Sequence, residues 1–148
     1  MFYGNGVPEI TDGILNRMTK EWQRATSSGD LNHIRVLLAG GHDIDDRDEH
    51  GQTALMNAAR CGQEDVVRVL IDAEADLNVT AKYNLTALML AIINGHGAIA
   101  ELLLEAGAEA GVRASGAAGF LGKTALQLAE ERGLAQVAAA IRRSHRPG

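Results

Sequence analysis

The chain has 148 residues, 46% of them hydrophobic but only 3% aromatic, and its 14 basic and 19 acidic side chains leave a net charge of −5. A chain of this size suits one domain that buries roughly 68–70% of its unfolded surface, and with so few rings its interior must be built from Ala, Leu, Val and Ile. The acidic balance excludes broad electrostatic affinity for nucleic acid, the single Cys61 excludes an internal disulfide or a Cys-based zinc cluster, and no apolar run approaches the roughly 20 residues of a membrane span.

Taken in chain order, Met1 to Thr11 has no basic start and no apolar stretch, so it does not read as a secretory signal. Residues 1–10 are expected to lie outside the fold and 11–144 to form one domain. With the lone cysteine this favours a cytoplasmic, monomeric protein. A first helix is expected from about Asp12 to Thr26, with Trp22 inward, ended near Gly29. A second starts near Asp30 and turns Ile34, Leu37 and Leu38 inward. An acidic run of Asp43, Asp45, Asp46, Asp48 and Glu49 follows, read as a solvated hairpin tip. Its alternatives are a weak cation site or a surface for a basic partner. Calcium-loop spacing fails, because Arg47 stands where the third ligand would be.

Thr53-Ala54-Leu55-Met56-Asn57-Ala58 then opens a helix, the Thr hydroxyl accepting from the first turn. Gly62 breaks it, and Val66, Val67, Leu70 and Ile71 form the stripe of a second helix. The same hexapeptide pattern returns 33 residues later as Thr86-Ala87-Leu88-Met89-Leu90-Ala91, and 38 after that as Thr124-Ala125-Leu126-Gln127-Leu128-Ala129. Gly29, Gly62, Gly95 and Gly133 keep the same spacing. So do Leu37-Leu38, Leu70-Ile71 and Leu103-Leu104. Gly51, Asn84 and Gly122 stand two residues before each Thr, where a left-handed turn is expected. Each unit is therefore helix, turn, helix, and then a hairpin. No unit can bury its own faces, so the units must stack. Four are expected, at about 12–44, 45–77, 78–115 and 116–144. The last ends in a basic stretch around Arg142 and Arg143, and residues 145–148 form a tail.

This pattern resembles the ankyrin repeat, whose Gly-x-Thr-Pro-Leu-His-x-Ala motif opens a unit of about 33 residues; here the resemblance spans about residues 12–144. Ala54, Ala87 and Ala125 stand where Pro is usual, and Met56, Met89 and Gln127 where His is usual. The imidazole of the family's Thr–His hydrogen bond is thus missing. The resemblance implies an all-α solenoid of stacked helix-turn-helix units joined by hairpin loops. It also implies a protein–protein interaction module that binds on its concave face, without catalysis, cofactor or metal.

One rival reading rests on the Gly-rich loop at 117–124, Ala-Ala-Gly-Phe-Leu-Gly-Lys-Thr. There Lys123 and Thr124 would serve nucleotide phosphates and magnesium, making the chain a nucleotide-binding protein or enzyme. The preceding Glu109 to Gly116 lacks the β-branched run of the required strand, and the repeat already accounts for Gly122 and Thr124. The five histidines show no metal-ligand spacing, and Cys61 reads as a small packing residue.

Carried over by position, the concave face takes Arg47, Glu49, His50, Gln52, Met56 and Arg60 from unit two. Unit three supplies Thr80, Lys82, Tyr83, Leu85, Met89 and Ile93, and unit four Phe120, Lys123, Gln127 and Glu131. Leu85, Met89 and Ile93 step by four and are expected to form an outward apolar ridge beside Tyr83; the alternative is that Met89 and Ile93 pack between units. The fourth unit carries five extra residues within Glu109 to Gly119, which either reach over a partner or are a tolerated insertion.

Overall fold

The computed structural model describes residues 20–116 and 119–144, and within them the chain is helical without a β-strand. The first part of the expected opening helix, 12–19, lies outside the described residues, as do the N-terminal extension and the tail. Helix α1 occupies 20–28. It is followed by α2 (Leu31–Ala39), α3 (Ala54–Cys61), α4 (Glu64–Asp72), α5 (Ala87–Ile93), α6 (Gly97–Glu105), α7 (Ala125–Glu131) and α8 (Ala135–Ser144). Helices α3, α5 and α7 pack side by side as an inner row, and α2, α4, α6 and α8 as an outer row.

Threonine opens each inner helix for a local reason. Thr53, Thr86 and Thr124 sit in extended backbone, and each hydroxyl accepts from the N–H three residues on, at 3.3, 3.2 and 3.4 Å. Thr53 and Thr86 are buried, so water cannot replace that bond. Replacing Thr86 with Ala is expected to cost about 1 kcal/mol of unfolding free energy, read from urea titration by circular dichroism. At α7 the cap is reciprocal, because Gln127 Oε1 also accepts from the Thr124 N–H at 2.9 Å.

Glycine ends α3 because φ there is +76°. Gly62 has a second constraint: a Cβ on it would stand 2.7 Å from His96 Cε1. That ring is itself held by Nε2 against the Arg60 carbonyl, at 3.2 Å. Gly95 has φ +79° and open space. Gly95→Ala should therefore cost about 1 kcal/mol and Gly62→Ala about 2–3 kcal/mol. Equal losses in urea unfolding would show that His96 yields freely.

The core runs through all four helix pairs, from Trp22, Ile34 and Leu37 through Leu55, Leu70, Leu88 and Leu103 to Leu128, Val137 and Ile141. Hydrogen bonds tie successive units at matching positions. Asp45 Oδ1 accepts from the Asp76 N–H, and Asn78 Oδ1 from the Glu109 N–H, both at 2.8 Å. Much of the acidic run is thus built into the turns. Asp48 Oδ1 also accepts from the N–H groups of His50 and Gln52, at 2.8 Å each.

The hairpins form fingers without strand character. Their closing bonds match in register: Asp48 N–H to Gln52 O, Ala81 N–H to Leu85 O and Ala114 N–H to Lys123 O, each 2.9 Å. Neighbouring fingers are joined by Lys82 N–H to His50 O and by Ser115 N–H to Tyr83 O. Ser115 therefore still holds the regular place. Counted by these bonds, the five extra residues fall after it and before Gly122. This narrows the sequence-based placement within Glu109 to Gly119 to the C-terminal end of that stretch. Ala110 and Ala114 are not part of a loose insert but buried members of the core.

Candidate functional site: the finger and inner-helix face

The fingers and the inner helices each leave side chains exposed, and the chemistry of these changes along the stack. At the first junction lies an open groove of about 470 Å³, lined by Gln23, Ser27, Asp48, Glu49, His50, Gln52, Asn57 and Arg60. Four of these, Glu49, His50, Gln52 and Arg60, are among the expected site residues. Gln23, Ser27 and Asn57 were missed. Moving back 33 residues from Met56 and Arg60 would have led to Gln23 and Ser27. Asn57 was marked by being polar where the other units carry Leu90 and Leu128.

The middle of the face is apolar. Tyr83 is 41% exposed, with Lys82 Nζ 5.1 Å from its ring centre. Leu85 and Ile93 are half-buried beside the core. Tyr83 and Asn84 hold φ of +63° and +60°, a conformation that costs a non-glycine residue about 1–2 kcal/mol. The Tyr83 ring lies against Gly116, where a Cβ would come within 3.0 Å of Cδ1. The longer fourth finger leaves Phe120 half-buried and Leu121 72% exposed.

Two expected surface residues are not on the surface. Met56 and Met89 are each 1% exposed, which corrects the expectation that Leu85, Met89 and Ile93 form an outward ridge. The spacing argument assumed one helix through all three. Leu85 instead precedes the Thr86 cap, and α5 is two turns long with six of its seven residues buried. A helix that short, flanked by α3 and α7, has little free surface. The other expected residues lie outside the core. Arg47, Glu49, His50, Arg60, Lys82, Tyr83, Gln127 and Glu131 are exposed; Gln52, Thr80, Leu85, Ile93, Phe120 and Lys123 are half-buried.

The Gly-rich loop does not have the setting that phosphate binding needs. No strand precedes it among the described residues. Thr124 is occupied in the α7 cap, and Lys123 Nζ pairs with Glu131 Oε1 at 2.6 Å. Among the described residues no cluster of His, Cys, Asp and Glu could hold a metal ion, and no helix is long and apolar enough to cross a membrane.

A family model of ankyrin repeats in three copies matches residues 22–114. The chain belongs to the ankyrin repeat family. The ankyrin match ends before α7 and α8, the fourth helix pair. No match is found among curated proteins. Among solved structures the chain is similar to one in the complex of the predatory endopeptidase Bd0816 from Bdellovibrio bacteriovorus with immunity protein Bd3460. The TM-score is 0.77 and the identity 29%, over 85% of this chain and 64% of that one. This ankyrin chain thus spans a little under two thirds of its neighbour's length.

Proposed function

We propose that the chain is a non-enzymatic interaction module that holds a partner protein on its concave face. What supports this reading is a face graded along the stack, from the polar groove to the apolar centre at Tyr83 and the exposed Leu121 of the fourth finger. A preformed surface limits the ordering cost of binding. A ring beside half-buried Leu85 and Ile93 has the makings of an interface anchor.

The class of partner we propose is an endopeptidase, bound in the manner of an immunity protein. The support is the 29% identical ankyrin-type neighbour, which was solved with such an enzyme. The test measures binding of the purified chain to Bd0816 by calorimetry, along with residual peptidase activity. Saturable binding with loss of activity is the expected result. Absence of both would remove the endopeptidase from the proposal. The face is tested separately on any captured partner, by comparing Tyr83→Gly with Val36→Ser. Val36 lies on α2 and is 66% exposed. Loss of affinity in the second variant alone would place the interface on the outer helices.

A further inference from the structure

One register on the inner helices holds three different chemistries along the stack. Arg60 in unit two corresponds to Ile93 in unit three and Glu131 in unit four. Three residues earlier the same units hold Asn57, Leu90 and Leu128. Of these, only unit two sets a polar side chain one turn before a cation. Asn57 is 4% exposed. Its Nδ2 lies 2.9, 2.6 and 2.8 Å from Gln23 O, Thr26 Oγ1 and Ser27 Oγ on α1, and its Oδ1 accepts from Arg60 Nη2. The Gln23 carbonyl can only accept and the Arg60 guanidinium can only donate, so the amide has one orientation. Held in the seam, it holds the guanidinium in turn.

The groove at this junction offers donors, while its own acids are engaged or turned to solvent. The Asp48 carboxylate takes the N–H groups of His50 and Gln52 on Oδ1 and Gln23 Nε2 on Oδ2. Glu49 is largely exposed, 3.6 Å from His50 Nε2. Arg68, Lys123 and Arg142 each pair with a glutamate. Arg60, on the groove wall, meets no carboxylate among the described residues. The Gln52 side-chain amide and the Ser27 O–H line the same groove and have no acceptor there either. A guanidinium presents a planar fork that matches a carboxylate, and a fork already fixed loses less freedom on binding.

We infer that the groove receives an aspartate or glutamate side chain of the partner, with Arg60 as the binding residue and Asn57 as the residue that positions it. The inference rests on the concave-face reading above. An open groove suits a side chain from a segment that crosses it, rather than a chain end. The net charge of −5 opposes such a partner at long range, but salt screens that opposition beyond about 8 Å, while the contact at Arg60 is direct.

The test titrates the full chain with short peptides and follows the arginine Nε–H signals by nuclear magnetic resonance. The probe is an end-blocked peptide of alternating Glu and Gly. Its controls are the same peptide with Lys for Glu, and an Ala-Gly peptide with a free carboxyl end. The Glu peptide should shift Arg60 saturably and leave Arg35 and Arg132 on a shallow, non-saturating slope. Arg60→Lys keeps the charge but not the fork, and should weaken binding about tenfold. Asn57→Leu installs the residue type of the other units. It should weaken binding about threefold, the cost of ordering one free side chain, and the Arg60 Nε–H should become as mobile as that of Arg35. Equal shifts at all three arginines, tighter binding of the Lys peptide or of the free carboxyl end, or affinity unchanged by Arg60→Lys would each overturn the inference. Unchanged mobility of Arg60 in Asn57→Leu would remove the positioning role. If that variant does not fold, Arg60→Lys, which alters only an exposed side chain, decides alone. The titration needs no partner protein, so it and the concave-face reading can fail separately.

Discussion

Replacing Met89 with Asp is expected to unfold the chain. The side chain is 1% exposed, on a two-turn helix packed between α3 and α7. Among the described residues no cation is buried, so a carboxylate there would lack a buried partner. An unpaired buried charge costs about 3–5 kcal/mol, against a total of about 5–15 kcal/mol for an ordinary domain. Circular dichroism of the purified variant should show loss of helix at 25 °C, or a urea midpoint far below the wild type. Met89→Leu is the control and should cost less than about 1.5 kcal/mol, because volume and polarity are kept. If Met89→Asp folds with wild-type stability, α5 does not lie between its neighbours as described. The same argument shows why polar substitution of Leu85, Met89 and Ile93 together would be a poor interface test. It would break the stack before it tested a surface.

Tyr83→Gly is expected to do the opposite, removing binding while keeping the fold. The ring is 41% exposed and is not among the buried core residues. Its backbone sits at φ +63°, which glycine adopts without strain. Stability should be unchanged or higher by up to about 1 kcal/mol, the relief of strain being offset by the freer unfolded chain. Affinity for the partner should fall by about 30-fold, the loss of about 2 kcal/mol that marks an interface anchor. Calorimetry on the complex reads the second effect, and urea titration of the free chain the first. Unchanged affinity would move the anchor elsewhere on the face. A destabilised variant would mean that the packing of Tyr83 on Gly116 matters more to the fourth finger than its own strain.

The repeat was legible because its signals are local. Thr53, Thr86 and Thr124 cap their own helices, and Gly62 and Gly95 end or join them through their own φ. Such features need no knowledge of distant residues. Trp22 could be placed inward by counting back from Leu55, and it is buried. The face was less legible. Leu85, Met89 and Ile93 have helical spacing, but spacing does not say where the helix begins or what flanks it. Asn57 was passed over although it is polar in an apolar register, and its three acceptors on α1 lie 30 to 34 residues away, where only the fold brings them near. The insertion could be counted from the spacing of threonines. Its place after Ser115 required the bond from Ser115 to Tyr83.

By itself the sequence determined the ankyrin architecture, the order of helices and the identity of their caps, because a period of 33 repeats the same short-range physics in each unit. Only the tertiary structure decided which side chains face outward. Exposure depends on the neighbour above and below in the stack, and the chain's local pattern carries no record of how closely those neighbours approach. Burying Met56 and Met89, leaving Tyr83 out, and closing the first junction with an amide are all outcomes of stacking.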